Sequence, residues 1–350
     1  MSLVIRSFKF LCLAVFLVFV FSVTPLHSST IKFPNDFTFK LETSSSLDSS
    51  SVYMLSEAPY PLTNYTIEAV LQTSTQTVDA KTTVNYVNHA PVSLDKIIFH
   101  LYPNAFRPEG YITIESVEYM GSNLSYLISG VDSTILNVSL VTAPGPGELL
   151  PNANVTLELN YQVKIPNGPR RFGWYQTTSP ELLVYNLGNW HPIIAVYDER
   201  GWHTAPYIFN FESFYSEAAA YDVHITTPEN YVIAATGELQ TVTINPGTRT
   251  WQWATGSVRD FTWCASPHYQ TSSILVDGVN VTSYHLAVHS MGGQRVLQIA
   301  NQCLDIFGSL FGQYPWQSLR IVETALGLAG MEYPQLVMIS EGLYDDPSIL

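Results

Sequence analysis

Charged residues are scarce in this sequence, and basic ones are scarcest. Charged side chains make up 13% of the 350 residues, about half the ~25% usual for soluble proteins. There are 15 Lys and Arg against 29 Asp and Glu, a formal net charge of −14. A surface with this charge repels phosphate backbones, so nucleic acid is excluded as an expected partner. Cationic groups, including peptide amino termini, fit it better.

Long hydrophobic runs are also missing, apart from one near the amino terminus. A predominantly apolar run covers Phe10 to Val23 and follows Arg6 and Lys9. Its fourteen residues fall short of the roughly 20 that cross a membrane, and they resemble the core of a secretory signal. We therefore predict a signal peptide or anchor over residues 1–27, with membrane anchoring through 10–23 as the alternative. Either reading places the chain outside the cell or on the outer face of a membrane.

Cysteine is nearly absent as well. Cys12 lies in the signal segment, which leaves Cys264 and Cys303 either as one disulfide in an oxidising compartment or as two buried thiols. Five Asn-x-Ser/Thr sequons agree with export and are candidate glycosylation sites: Asn64, Asn123, Asn137, Asn154 and Asn280.

Complete catalytic motifs are missing too. No histidine is followed by glutamate, so the His-Glu-x-x-His zinc signature is absent, as are Gly-x-Ser-x-Gly and the phosphate-binding loop. His285 and His289 are four residues apart, but the stretch from Val281 to His289 has a strand pattern. Such a strand separates them by roughly 13 Å, too far to share a zinc ion. We expect this chain to hold no metal.

The sequence does contain the patterns of many short β-strands. Residues 28–58 are Ser-rich and predict a linker, and 59–263 predict a β-sandwich or saddle-like β-domain. "NVTLELNYQVKI" alternates cleanly, with one apolar face formed by Val155, Leu157, Leu159, Tyr161 and Val163. The stretch from Tyr221 to Gly256 predicts three strands separated by turns.

From residue 264 to 350 the pattern becomes mixed α and β. A helix is predicted around "GGQRVLQIANQCLDIFGSLFG", with strands "SLRIVETAL" and "PQLVMIS" after it. The helix carries apolar residues at three- and four-residue steps, namely Val296, Ile299, Cys303, Ile306, Phe307 and Leu310. The predicted fold class is therefore mainly β, followed by the start of an α+β domain.

Aromatic residues are abundant and could line a carbohydrate groove, although such residues more often form a β-sandwich core and rim. The set is Trp174, Tyr175, Trp190, Trp202, Trp251, Trp253 and Trp263. The pair Arg170 and Arg171 is expected to lie in a solvated loop.

The segment "GLAGMEYPQLVMIS" places one acid, Glu332, at the start of an apolar strand. Together with "FGSLFGQYPWQSLRIVET" before it, the segment resembles the start of the catalytic domain of thermolysin-like zinc aminopeptidases, the membrane alanyl aminopeptidase or gluzincin family. "LGNWHPIIAVYDERGWHTAPY", "FYSEAAAYDVHITTPENYVIAATGEL" and Asp260-Phe261 resemble that family's N-terminal saddle domain. The resemblance covers roughly residues 60 to 345.

The resemblance implies a role for four residues: Ala329, Gly330, Met331 and Glu332 occupy the motif whose glutamate holds the free α-ammonium of a peptide substrate. Tyr333-Pro334 departs from the Asn usual there, which leaves substrate preference open. In that family the zinc-binding helix comes later, and only 18 residues follow Glu332 here. The expectation is an N-terminal portion of an exported zinc aminopeptidase, inactive alone, whose zinc belongs to the full-length enzyme. The alternative is a non-catalytic surface β-protein that binds peptides or partners.

Overall fold

The computed structural model describes residues 61–178, 181–208 and 214–345. It also describes a pair of short antiparallel strands, β1 (Thr30–Lys32) and β2 (Thr38–Lys40), which fall inside the predicted linker. The predicted signal or anchor, the remainder of the linker and residues 346–350 lie outside the described part. No helix within the described residues is both long enough and apolar enough to span a membrane.

The larger part of the described chain is built from strands. The first eight after the short pair are β3 (Thr63–Gln72), β4 (Thr77–Val87), β5 (Lys96–His100), β6 (Tyr111–Tyr119), β7 (Ser122–Asn123), β8 (Tyr126–Ser129), β9 (Ile135–Ser139) and β10 (Asn154–Lys164). The next ten are β11 (Phe172–Thr178), β12 (Glu181–Leu187), β13 (Ile193–Ile194), β14 (Tyr197–Asp198), β15 (Gly201–Trp202), β16 (Ala219–Pro228), β17 (Val232–Ala235), β18 (Glu238–Asn245), β19 (Thr248–Ala254) and β20 (Trp263–Ser266).

These strands form one large sheet and three smaller ones. The large sheet has the order β18-β19-β16-β3-β4-β10-β6-β7, and the others have the orders β11-β12-β20-β17, β13-β5-β9-β8 and β14-β15. All neighbours are antiparallel except β16 and β3. The largest apolar core is shared by the large sheet and both four-stranded sheets, with Ile67, Phe99, Tyr185 and Trp263 among its members. We refer to residues 61–266 as the β-rich region.

Strand β10 confirms the alternation predicted from its sequence. All five residues of its predicted apolar face are at most 3% exposed, because the sheet covers the core with one face and meets solvent with the other. The stretch from Tyr221 to Gly256 was wrongly predicted as three strands, since it contains four. Gly237, with φ of +93°, turns the chain between β17 and β18 and sends them to different sheets.

The aromatic residues belong mainly to the core. Trp190, Trp253 and Trp263 are at most 1% exposed, and Trp190 and Trp263 pack edge to face with ring centroids 5.9 Å apart. Trp174 and Trp202 are half-buried at its margin. This arrangement confirms the prediction of a core and rim.

A five-stranded sheet with helices forms the remainder, which we call the C-terminal sheet. Its elements are β21 (Tyr269–Val276), β22 (Val279–Leu286), α1 (Ser290–Phe311), β23 (Ser318–Thr324), β24 (Gly330–Tyr333), β25 (Leu336–Ser340) and α2 (Glu341–Asp345). The order is β21-β22-β23-β25-β24, in which β22, β23 and β25 are parallel and the outer two strands antiparallel. The predicted class, mainly β followed by mixed α and β, is confirmed.

Both faces of the C-terminal sheet are covered. On one face Ile321 and Val337 pack against Val296 and Cys303 of α1. On the other, Val322 and Met338 join a core with Val184 and Cys264 from the sheet β11-β12-β20-β17. Every residue of β23 is therefore buried, as expected for a central parallel strand. Cys264 and Cys303 are buried in two different cores and form no disulfide, so the disulfide alternative is wrong.

Helix α1 follows its predicted apolar pattern only in part. Val296, Ile299, Cys303 and Phe307 are buried as expected, but Ile306 is 46% and Leu310 43% exposed. These two side chains lie on the flank of the helix, because Cys303, Leu304 and Phe307 occupy its inner side over the last turns.

Candidate functional site

The segment that carries Glu332 forms the outermost strand of the C-terminal sheet. β24 pairs with β25 in the register Gly330 to Ile339 and Glu332 to Val337, and among the described residues no strand pairs with its other edge. Side chains alternate along the strand, since Met331 is 6% exposed whereas Glu332 is half-buried on the opposite face. Because Met331 turns its side chain into the core, only its backbone lies at the edge of the strand.

Backbone contacts hold the start of this strand in place. The Ser340 amide donates to the carbonyl oxygen of Ala329 at 3.0 Å. At Gly330, a Cβ would lie 3.2 Å from the carbonyl oxygen of Met338, so a larger residue would press on β25. Ala329 and Gly330 are both half-buried. The four residues that the family resemblance singles out thus form one short, tightly packed stretch at the sheet edge.

A buried chain of hydrogen bonds connects β24 to the β-rich region. The Tyr333 hydroxyl donates to Asn189 Oδ1 at 3.2 Å, and Asn189 Nδ2 donates to Asp260 Oδ2 at 2.6 Å. The other Asp260 oxygen, Oδ1, accepts the Phe261 amide at 2.7 Å. Three segments that carry the resemblance, far apart in sequence, therefore meet at one point.

The loop before β24 is also tied to the β-rich region. Asn186 donates from Nδ2 to the carbonyl oxygens of Arg170 and Ala325, each at 2.9 Å, and it accepts the Thr324 hydroxyl at 2.6 Å. The Gly327 amide donates to the carbonyl oxygen of Pro169 at 2.8 Å. These bonds place the residue 168–171 loop against the residue 325–329 loop.

Arg170 and Arg171 differ from the solvated pair that the sequence predicts. The Arg170 guanidinium lies over the Phe106 ring, with Cζ 5.9 Å from its centroid, and its Nη1 is 3.7 Å from Glu109 Oε2. Arg171 lies over the Phe214 ring at 5.3 Å. Both side chains are held by aromatic faces, because the loop is fixed through its backbone against the C-terminal sheet.

A buried histidine–glutamate pair lies at the carboxyl ends of the parallel strands. His289 Nδ1 is 2.5 Å from Glu323 Oε1, and the Leu286 amide donates to Glu323 Oε2 at 2.8 Å. Glu323 is fully buried. Burial raises the pKa of this carboxyl, opposed by its bonds to His289 and Leu286. The sequence did identify His289 but not its partner, although a single acid inside the apolar strand "SLRIVET" was a signal for one.

His285 and His289 do not share a metal site. His285 lies on β22, but the strand ends at Leu286, and His289 sits in a 3-10 turn over Ala287–His289. The prediction that both lie on one strand was therefore wrong. His285 Nδ1 lies 3.3 Å from the Ser283 hydroxyl oxygen, while His289 faces Glu323. Within the described residues no group of three His, Cys, Asp or Glu side chains fits a metal ion, so the residues present do not fit a zinc ion.

The five sequon asparagines all lie in the described part of the chain. Asn64, Asn123, Asn154 and Asn280 are exposed, whereas Asn137 is half-buried on β9 between two neighbouring strands. An exposed asparagine is compatible with a bulky glycan. Glycosylation stays a prediction at each of them.

Comparisons with known proteins give a match in structure only. No family model matches the sequence, and no curated protein does. The fold is similar to that of the M1 zinc metallopeptidase from Deinococcus radiodurans, at 14% identity and a TM-score of 0.56, over 80% of this chain and 59% of that one. A mutant of that protein, bound to a Tyr-Ser-Ala substrate, matches at 16% identity with a TM-score of 0.56. The match covers 80% of this chain and 60% of that one.

A two-domain M1 zinc metallopeptidase mutant bound to L-arginine gives 15% identity and a TM-score of 0.55, over 81% of this chain and 60% of that one. At these identities the similarity establishes a shared fold. The chain spans about 60% of the length of the structures it matches, and its structural neighbours are M1 zinc metallopeptidases.

Proposed function

We propose that this chain supplies the peptide-recognition strand of an exported zinc aminopeptidase, and that Glu332 binds the free α-ammonium of the substrate. The observation that carries the proposal is the position of Glu332, half-buried on the outermost strand of the C-terminal sheet. An extended peptide can add to such a strand through its backbone. The Tyr-Ser-Ala substrate bound to a structural neighbour supports a peptide ligand.

Electrostatics favour an ammonium group beside Glu332. Two opposite charges 4 Å apart attract by about 4 kcal/mol at an effective dielectric constant of 20, and desolvation removes part of this gain. A charge-assisted hydrogen bond contributes roughly 1.5–3 kcal/mol after that subtraction. The chain's net charge of −14 adds a long-range attraction for cationic ligands.

The remaining parts of the proposal concern the whole protein. We place the zinc ligands outside the described residues, in the part of such enzymes that this chain does not span. The separate apolar cores between the sheets of the β-rich region and under α1 support a division into a domain over 59–263 and the start of another from 264. The apolar amino-terminal run supports export, with the mature chain outside the cell or anchored on the outer face of a membrane.

The proposal predicts that the chain distinguishes peptides by their amino terminus. We expect Tyr-Ser-Ala amide to bind more tightly than its N-acetylated form in a titration followed by ligand-observed NMR. Glu332→Gln keeps the shape of the side chain but removes its charge. It should weaken binding of the free peptide roughly 10- to 150-fold and leave the acetylated peptide unaffected.

Glu115→Gln is the matched control, since Glu115 is an exposed strand residue on the large sheet, and it should change neither affinity. Equal affinity of the wild-type chain for both peptides would contradict the proposed function. Binding without discrimination would instead support the alternative of a non-catalytic peptide-binding protein.

A further inference from the structure

The hydrogen-bond chain from Tyr333 to Asp260 ends on the two Asp260 carboxyl oxygens and runs in one direction. Tyr333 donates to Asn189, which donates to Asp260, and the Phe261 amide donates to Asp260 as well. The three residues are 4%, 5% and 7% exposed. Because the Tyr333 hydroxyl donates to an acceptor that is itself held by Asp260, the bond fixes the position of the hydroxyl.

The backbone around Asn189 is shaped for this contact. Asn189 has φ of +54°, a conformation that asparagine tolerates better than most residues. A Cβ on the preceding Gly188 would collide with the Tyr333 hydroxyl oxygen. The Gly188 amide is itself bound to the carbonyl oxygen of Arg171. The Gly-Asn turn is therefore a socket for the Tyr333 hydroxyl, built entirely by the β-rich region.

Tyr333 is the immediate neighbour of Glu332 and points to the opposite face of β24. Its side chain enters the core shared with the sheet β11-β12-β20-β17, while Glu332 lies on the other face. On an outermost strand of four residues, held by β25 on one edge, the position of one side chain determines the position of its neighbour. Fixing the hydroxyl therefore fixes the strand that carries Glu332.

We propose that Tyr333 and Asn189 are positioning residues for recognition of the peptide amino terminus, through which the β-rich region sets the placement of Glu332. This inference rests on the proposed function. It also gives a role to the Tyr333-Pro334 departure from the family motif: Tyr333 is an anchor into the Gly188-Asn189 socket and does not contact substrate.

The test compares two variants that break the bond from opposite ends. Tyr333→Phe removes only the hydroxyl. Asn189→Gly removes the side chain and accepts the positive φ, which alanine would not. The control is Tyr161→Phe, because the Tyr161 hydroxyl is also buried and bonded to a side chain, Thr82, at 2.9 Å. It lies in the large sheet.

The readout is the ratio of the dissociation constants for N-acetylated and free Tyr-Ser-Ala amide. Tyr333→Phe and Asn189→Gly should each reduce this ratio roughly 2- to 12-fold, the worth of one hydrogen bond. The double variant should fall no further than Asn189→Gly alone, since that substitution already removes the bond to Tyr333 along with the bond to Asp260. Tyr161→Phe should leave the ratio unchanged.

Amide hydrogen exchange provides a second readout. Tyr333→Phe should speed exchange in Gly330–Tyr333 but not in β22 or β23. A wild-type ratio well above one that persists in Tyr333→Phe would overturn this inference and leave the proposed function intact. So would an equal loss in Tyr161→Phe, which would indicate general destabilisation. A wild-type ratio of one would overturn the proposed function, and this inference with it.

Discussion

His100 is an ionisable residue that the fold holds in its neutral form. It is 3% exposed, it stacks on Tyr102 with ring centroids 4.8 Å apart, and its Nε2 lies 3.0 Å from the carbonyl oxygen of His203. Burial lowers the pKa of His100 to about 4, opposed by that hydrogen bond. In the unfolded chain a histidine has a pKa near 6.5, so folding and protonation compete.

His100 should make the protein lose stability as the pH falls. Its contribution is fully present above pH ~6.5 and is lost as the pH drops toward the folded pKa near 4, because only the unfolded chain binds the proton in that interval. The loss amounts to about 3 kcal/mol. Urea unfolding between pH 7 and pH 4 measures it.

The variant His100→Gln keeps a neutral amide nitrogen that can replace the Nε2 donor, and it should flatten the pH dependence. His224→Gln changes a half-exposed histidine of β16 and serves as the control. An equally steep fall in stability in His100→Gln would show that other groups cause it.

At this scale the sequence is informative about residues but not about their partners. Glu332 stands out because it is an acid at the start of an apolar strand within a recognisable motif. Asn189 and Asp260 lie in segments that carry part of the resemblance, but nothing there marks them as partners. Their roles come from contacts of Asn189 with Tyr333, 144 positions away, and with Asp260, 71 positions away. Such pairings depend on how sheets pack, which local patterns do not encode.

Among the elements, α1 shows what the spacing of apolar residues predicts correctly and what it does not. The repeat of apolar residues predicts the helix correctly, because an amphipathic helix must bury one face. It does not decide which flank of the face reaches the sheet. Leu304 is 6% exposed against the C-terminal sheet, and Leu310 is 43% exposed two turns later. Strand β10, which packs as a whole on one core, was predicted in full.

The two leucines give a matched test of this packing. Leu304→Ala should lower the free energy of unfolding by about 2–5 kcal/mol, because it leaves a cavity under α1. Leu310→Ala changes the same side chain on the same helix and should cost less than about 1 kcal/mol. Chemical denaturation of both variants measures the difference. Equal losses would contradict the placement of the helix on the sheet.

At the scale of the whole molecule, the two parts are joined by polar contacts as well as by a core. Glu238 of β18 accepts the Ser318 hydroxyl at 2.7 Å and Gln335 Nε2 at 2.8 Å. Arg320 Nη2 lies 3.9 Å from Glu238 Oε2, and the Arg320 guanidinium stacks over Trp253, with Cζ 4.6 Å from the ring centroid. The large sheet therefore contacts the segments of β23 and β25, and β25 in turn pairs with β24.

Sequence patterns indicate two regions, because the pattern of strands without helices changes to a mixed α and β pattern near residue 264. They do not indicate how the regions meet. Glu238 begins a strand whose residues are mostly exposed, and nothing in its neighbourhood along the chain marks it as a contact. The interface is specified by side chains from distant segments, such as Ser318 and Gln335, that the folded structure brings together.

Removing the Glu238 carboxylate should therefore loosen one part of the molecule rather than all of it. In Glu238→Ala, Ser318 and Gln335 lose an acceptor and the buried Arg320 loses a charge partner, and the free energy of unfolding should fall by about 1–3 kcal/mol. Hydrogen exchange should quicken in β23 and β25 but not in β3 and β4.

Glu158→Ala is the control, because the Glu158 side chain is 39% exposed against 38% for Glu238, and it too pairs with a cation, Lys81. A surface pair of that kind contributes at most about 1 kcal/mol, so its loss should leave exchange in β23 and β25 unchanged. If exchange rises equally in all four strands of Glu238→Ala, Glu238 stabilises the fold as a whole, and the idea of a local joint between the large sheet and the C-terminal sheet fails.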